Sequence, residues 1–147
     1  MDTDNIPAMD AAGFYPGKPM DTIIKVVGVG GGGCNAVEHM YKQNIENVSF
    51  VILNTDRQQL NALSVPQRVE IGNGLGAGNK PEIARNAAEE ASDRIAELFE
   101  DNTKMVFITG GMGGGTGTGA APVVARIARE KGLLTVGIVT IPFLFEG

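Results

Sequence analysis

The chain has 147 residues, a formal charge of −5, one cysteine and no tryptophan. This length suits one domain around one hydrophobic core, and the acidic balance argues against a general binder of nucleic acid or anionic membrane, which needs basic surface. The lone Cys34 excludes an intrachain disulfide framework and fits a reducing compartment, while no apolar run reaches the roughly 18 residues of a membrane-spanning helix.

Residues 1–21 carry Gly13, Gly17, Pro7, Pro16 and Pro19 without periodicity and read as a flexible leader in which Phe14 and Tyr15 are free to dock. Its acidic start lacks the basic region of a secretory signal, so a cytoplasmic protein is expected. A first strand follows over Ile23–Val29, apolar on both faces as in a parallel sheet covered by helices. After the glycines of residues 28–33, a helix is predicted over Asn35–Gln43, with Ala36, Val37 and Met40 toward the sheet. A second strand, Val48–Leu53, ends in Asn54-Thr55-Asp56. A weak helix near Gln58–Leu63 and a short strand at Arg68–Ile71 come next.

The stretch from Gly72 to Lys80 is too glycine-rich for regular structure. Pro81 and Glu82 suit a helical first turn, and Ile83, Ala87, Ala91, Ile95 and Leu98 recur at helical spacing, predicting one helix through Leu98. A strand over Thr103–Thr109, a second glycine cluster and a helix to about Lys131 follow, with Gly132 as its stop. The last strand, Leu133–Thr140, is apolar enough for burial on both faces. Pro142–Gly147 then ends with no covering helix, which leads to the expectation of a truncated chain or one completed by another fragment. The alternation β-α-β-α-β-α-β-α-β predicts an α/β fold, a three-layer Rossmann-like open parallel sheet.

The chemistry lies in the glycine clusters. Consecutive glycines let backbone N–H groups converge on a ligand, and a helix N-terminus adds partial positive charge. Gly28-Val29-Gly30-Gly31-Gly32-Gly33 satisfies G-x-G-x-x-G between strand and helix, a dinucleotide fingerprint, with a close-packed turn as the bland alternative. Asp56 is then a candidate ribose-binding acid, although farther along than the usual spacing of about 20 residues. No phosphate-loop lysine follows either cluster, so the Walker-type reading fails. The second cluster, Gly110 to Gly119, discriminates better: Gly113-Gly114-Gly115-Thr116-Gly117 offers nearly uninterrupted backbone, and Thr116 and Thr118 add hydroxyls for phosphate oxygens or for the helix start. Two such loops on one sheet suit one polyphosphate held from two sides.

Together these motifs resemble the tubulin-like GTPases, in particular the bacterial cell-division members of that family. The resemblance rests on Gly113–Gly119 through Ala120-Ala121-Pro122, on Gly30–Gly33 followed by Asn35-Ala36-Val37, and on Asn54-Thr55-Asp56. Gly74-Leu75-Gly76-Ala77-Gly78 with Pro81, and Pro142-Phe143-Leu144-Phe145-Glu146-Gly147, extend it over residues 22–147, read as a partial GTP-binding domain. It implies an incomplete tubulin-type GTPase domain with strand order 3-2-1-4-5, binding GTP or GDP with Mg2+. By the same resemblance Asn35 meets the guanine, Gly30, Gly31 and Gly32 approach the phosphates, and Ala77 and Gly78 stand near the third phosphate. Gly113, Gly114, Gly115, Thr116, Gly117 and Thr118 cradle the phosphates, Glu146 reaches the ribose, and Asp56 lies near the pocket.

The resemblance further implies head-to-tail self-association, hydrolysis completed by acids of the neighbouring subunit, and division-ring adaptors at the membrane. It places the intact protein in the cytoplasm at midcell, with no nucleic acid and no direct membrane insertion. The family's catalytic acidic loop has no counterpart in residues 1–147, so no catalytic residue and no metal ligand is assigned, and the fragment alone is expected to be nearly inactive. Two alternatives stay open at this point: an NAD-binding domain of a dehydrogenase, and a tubulin-like module that assembles without hydrolysis. His39 reads as a helix-surface residue and Cys34 as packing, although its place near a helix N-terminus is one that lowers a thiol pKa. Met112 either covers a ligand or fills a gap between loops.

Overall fold

The computed structural model describes residues 23–111 and 115–140. Strands and helices alternate as β1 (Ile24–Val29), α1 (Gly30–Lys42), β2 (Val48–Asn54), α2 (Arg57–Asn61) and β3 (Arg68–Glu70). Then come α3 (Pro81–Glu90), α4 (Ser92–Glu97), β4 (Met105–Gly111), α5 (Thr116–Glu130) and β5 (Leu134–Thr140). All neighbouring strands pair in parallel, in the order β3-β2-β1-β4-β5, the 3-2-1-4-5 order expected. The register sets Val29 beside both Leu53 and Gly110, so β1, β2 and β4 finish level and their following turns lie side by side.

Side chains alternate between faces along each strand, and both faces are covered. Val27, Val29, Val51, Leu53, Val106 and Ile108 share one core with α3, α4 and α5. Val26, Phe50 and Ile52 form the other with Cys34 and Val37 of α1 and Leu60 of α2. Burial from both sides is why these strands read as continuous apolar runs.

Three local expectations are corrected. The helix expected from Asn35 begins at Gly30, so the glycines are its first turn rather than a loop before it. Glycine is a poor helix former, but packing overrides propensity here: a Cβ at Gly33 would run into the Thr109 carbonyl of β4, and its absence lets α1 lie against the sheet. The helix expected over residues 81–98 bends at Ala91 (φ −95°, ψ 13°), whose N–H is shared between the Ala87 and Ala88 carbonyls. This local tightening divides α3 from α4, while Ala84, Ala87, Ala88, Ala91 and Ile95 remain buried. Finally, β5 is not buried on both faces: as the outermost strand it leaves Leu134, Ile138 and Val139 exposed among the described residues. The leader of residues 1–21 and the segment 142–147 lie outside the described residues.

The edge of the sheet where β1 begins closes with the chain's own charges. Lys25 is fully buried; its Nζ donates to the Leu98 carbonyl, lies 2.6 Å from Asp101 Oδ2 and sits 6.0 Å from the centre of the Phe99 ring. Burial pushes the Asp101 carboxyl up, but Lys25 and the N–H and hydroxyl of Thr103 outweigh it and hold it below its usual value. On α1, Glu38 accepts from the Ser64 N–H at 2.8 Å and the Val65 N–H at 3.1 Å, with Lys42 at 3.4 Å. Burial again pushes the carboxyl up, and these donors win, leaving Glu38 below the ordinary 4.5.

Candidate functional site

At the opposite edge of the sheet the strands stop and their turns surround a cavity of about 550 Å3. It sits where the strand order reverses, between β1 and β4, the crevice in which open parallel sheets bind ligands. Two helices begin there without a capping side chain among the described residues. The residue before α1 is Val29 and that before α5 is Gly115; neither helix has a capping side chain or an acid in its first turn. Of the helices beside them, α2 is capped by Asp56 Oδ1, which accepts from the Gln59 N–H at 3.1 Å. Helix α3 also lacks a capping side chain but opens with Pro81, which has no N–H to satisfy, and carries Glu82 in its first turn.

Of the residues selected from the sequence, Gly31, Gly32, Asp56, Ala77, Gly78, Gly115, Thr116 and Gly117 line this cavity. Gly30 lies behind the wall: its φ is +77° and a Cβ on it would come 2.7 Å from the Gly117 N, so a bare backbone here lets the two glycine turns touch. Asn35 is exposed on the next turn of α1 and is not among the lining residues. Thr118 faces away, toward grooves beside α5, and its Oγ1 is buried with no partner among the described residues. Gly113, Gly114 and Glu146 lie outside the described residues, as does Met112.

The remaining wall is a loop pinned to the end of β2. Arg57 N–H donates to the Gly74 carbonyl and Gly76 N–H to the Thr55 carbonyl, each at 3.0 Å, which carries Ala77 and Gly78 to the mouth. Sequence reasoning selected Asp56 but missed Asn54, Thr55 and Gln59, which also line the cavity. The Thr55 hydroxyl lies 2.7 Å from that of Thr116 and ties the end of β2 to the start of α5. Asn54 Oδ1 accepts the Thr55 N–H at 2.8 Å, and its Nδ2 donates to Gln59 Oε1 at 2.9 Å. The available signal was two polar residues, Asn54 and Thr55, directly after an apolar strand: buried polar groups need partners, and theirs lie around the cavity.

No lysine or arginine lines the cavity among the described residues, and Asp56 is its one charged side chain. An anion placed there would meet main-chain amides and two helix N-termini rather than cationic side chains, which fits the acidic composition. A second cavity of about 620 Å3 lies between α3 and α5, where Arg126 is paired with Glu89 at 2.6 Å and Arg85 and Arg129 also line the wall. The Cys34 thiol is correctly read as packing, but the lowered pKa considered for it is overturned. Burial pushes it up to about 12, and the thiol donates to the Leu53 carbonyl at 3.3 Å. His39 is exposed on α1, as expected. No cluster of three or more His, Cys, Asp or Glu residues able to hold a metal occurs among the described residues, and none of their helices is long and apolar enough to cross a membrane.

Comparison with known proteins follows the same division of the chain. A sequence profile described as the Tubulin/FtsZ family, GTPase domain, matches residues 23–147. The cell division protein FtsZ of Porphyromonas gingivalis is 57% identical over 138 residues, covering 90% of this chain and 30% of that protein. FtsZ of Aquifex aeolicus is 56% identical over 128 residues, covering 84% of this chain and 35% of that protein. Among solved structures, an empty FtsZ dimer from M. jannaschii superposes with a TM-score of 0.80 at 46% identity, over 86% of this chain and 38% of that one. CetZ1 from Haloferax volcanii, a GDP-bound monomer, gives 0.71 at 29% identity, over 84% and 43%. The chain thus spans about a third of the length of the curated relatives it matches.

Proposed function

The chain belongs to the Tubulin/FtsZ family of GTPase domains, and from that premise we propose that its cavity binds a guanine nucleotide. The observation that carries this reading is the meeting of two uncapped helix N-termini, α1 and α5, on one cavity at the sheet's switch point. Amides of Gly31 and Gly32 donate to phosphate oxygens from one side and those of Gly115, Thr116 and Gly117 from the other. The hydrogen bond between the Thr55 and Thr116 hydroxyls steadies Thr116 as it does so. Gly113 and Gly114 extend this cradle, Ala77 and Gly78 stand by the terminal phosphate, Asn35 meets the guanine and Glu146 the ribose. GDP in the CetZ1 relative supports the same ligand class.

The family also implies Mg2+. That ion needs only one or two carboxylates when phosphate oxygens and water complete its shell, and Asp56 offers one, with Oδ1 engaged as the α2 cap and Oδ2 left over. The residues fit, and Asp56 would hold the ion directly or through water. When bound, Mg2+ neutralises phosphate charge. The intact protein is a polymerising GTPase of the bacterial division ring: subunits associate head to tail, the neighbour's acids complete hydrolysis, and adaptors tether the filament to the membrane at midcell.

Calorimetric titration of the protein at its full natural length with GDP, GTP and NAD tests the binding reading. Guanine nucleotides are expected to bind and NAD not; the reverse preference overturns it. Sedimentation with and without GTP, alongside phosphate release, tests the rest. Assembly without GTP or without turnover would instead favour a non-hydrolysing module.

A further inference from the structure

We propose that Gln59 is a nucleotide-contacting residue whose carboxamide is oriented by Asn54 to present its N–H donors to a phosphate oxygen above Gly31. The inference rests on the guanine-nucleotide reading and extends it to a side chain. It begins with backbone groups whose polarity is fixed. The N–H groups of Thr55 and Asp56, at 2.8 and 3.4 Å, both point at one oxygen of the Asn54 side chain, so that atom is Oδ1 and the other end is a donor. The Asn54 Nδ2 donates to Gln59 at 2.9 Å, and the atom receiving it must be Oε1. Gln59 Nε2, with two N–H donors, is therefore left over, and it has no hydrogen-bond partner among the described residues.

The whole carboxamide lies over Gly31: an ideal Cβ on that glycine would be 3.1 Å from Oε1, 3.8 Å from Cδ and 3.9 Å from Nε2. Gln59 and Gly31 share the cavity wall at the start of α1, where an anion gathers main-chain amides. A neutral donor there serves an anionic oxygen without adding a charge beside Asp56. Two amide side chains and two backbone N–H groups thus form a relay with one permitted direction, ending in a donor at the cavity.

The test is calorimetric titration of the protein at its full natural length with GDP. Gln59→Ala is expected to weaken binding about tenfold, the scale of one hydrogen bond to a charged group, and Gln59→Glu about a hundredfold, because it sets a carboxylate against phosphate. Asn54→Asp keeps the acceptor for the Thr55 N–H but offers Gln59 an oxygen, which turns Nε2 inward. In the N54D background Q59A is therefore expected to cost less than twofold. GDP binding by Q59A as tight as by the unchanged protein would overturn the contact while leaving the nucleotide reading intact. An equal tenfold cost of Q59A in both backgrounds would overturn the orientation by Asn54. No GDP binding by the unchanged protein would overturn the nucleotide reading, and this contact with it.

Discussion

The two ends of the sheet satisfy their polar groups in opposite ways. Where β1 begins, Lys25 meets Leu98 and Asp101, and Glu38 meets Ser64 and Val65, so these two buried charges are answered from elsewhere in the same chain. The Ser49 hydroxyl beside Lys25 is the buried group there without a partner among the described residues. Where β1 and β4 end, α1 and α5 start without a capping side chain among the described residues, around an open cavity. The first end holds the fold together; the second, on the proposed reading, offers its donors to a nucleotide. Polar groups met internally favour stability, and unmet ones gathered in a cavity favour a ligand.

The division predicts separable effects. The largest is expected from Lys25→Ala, which strands the Leu98 carbonyl and unpairs Asp101. Breaking such a pair costs about 3 kcal/mol, the low end for a buried ion pair because the Asp101 side chain is 46% exposed. Guanidinium denaturation measures that loss, and GDP affinity of the folded fraction should stay unchanged; a matching loss of affinity would break the comparison. Next is Gly33→Ala, at the cavity end but packed on β4, where an added methyl meets backbone and costs about 2–3 kcal/mol by the same measurement.

A smaller effect belongs to Glu38. Its folded pKa is depressed, so its contribution is present above the ordinary carboxyl value of 4.5 and disappears as pH falls through the lower folded value. Glu38→Gln should cost about 1 kcal/mol near neutrality. Denaturation curves of the two proteins should converge as the pH drops below 4.5; a gap that persists there contradicts the assignment. The smallest stability change is expected from Gly32→Ala, one residue before Gly33. A Cβ there meets nothing closer than 3.9 Å, so the fold should keep its stability or gain about 0.5–1 kcal/mol from helix propensity, while GDP binding weakens because the methyl occupies ligand space.

The first end was almost illegible in the sequence. Lys25 sits in an apolar strand with no local partner, and Asp101, 76 residues on, becomes one only through the fold. The alternating runs, by contrast, carry the strand and helix order, because strands covered on both faces must be continuously apolar. The glycine clusters advertise the second end, yet composition alone does not sort them: Gly31 and Gly32 line the cavity, whereas Gly30 and Gly33 serve contact between elements. Asn54, Thr55 and Gln59 escaped because single amides and hydroxyls near a turn are common, and only the pinned loop and level strand ends bring these to one wall.

The most direct test is a map of backbone amide shifts by nuclear magnetic resonance as GDP is added to the isotopically labelled protein at its full natural length. The account predicts large shifts at Gly31, Gly32, Gly115 and Gly117 together, with Lys25, Ser64 and Val65 unmoved. Shifts confined to one of the two glycine turns, or centred on the Lys25 end, would contradict it.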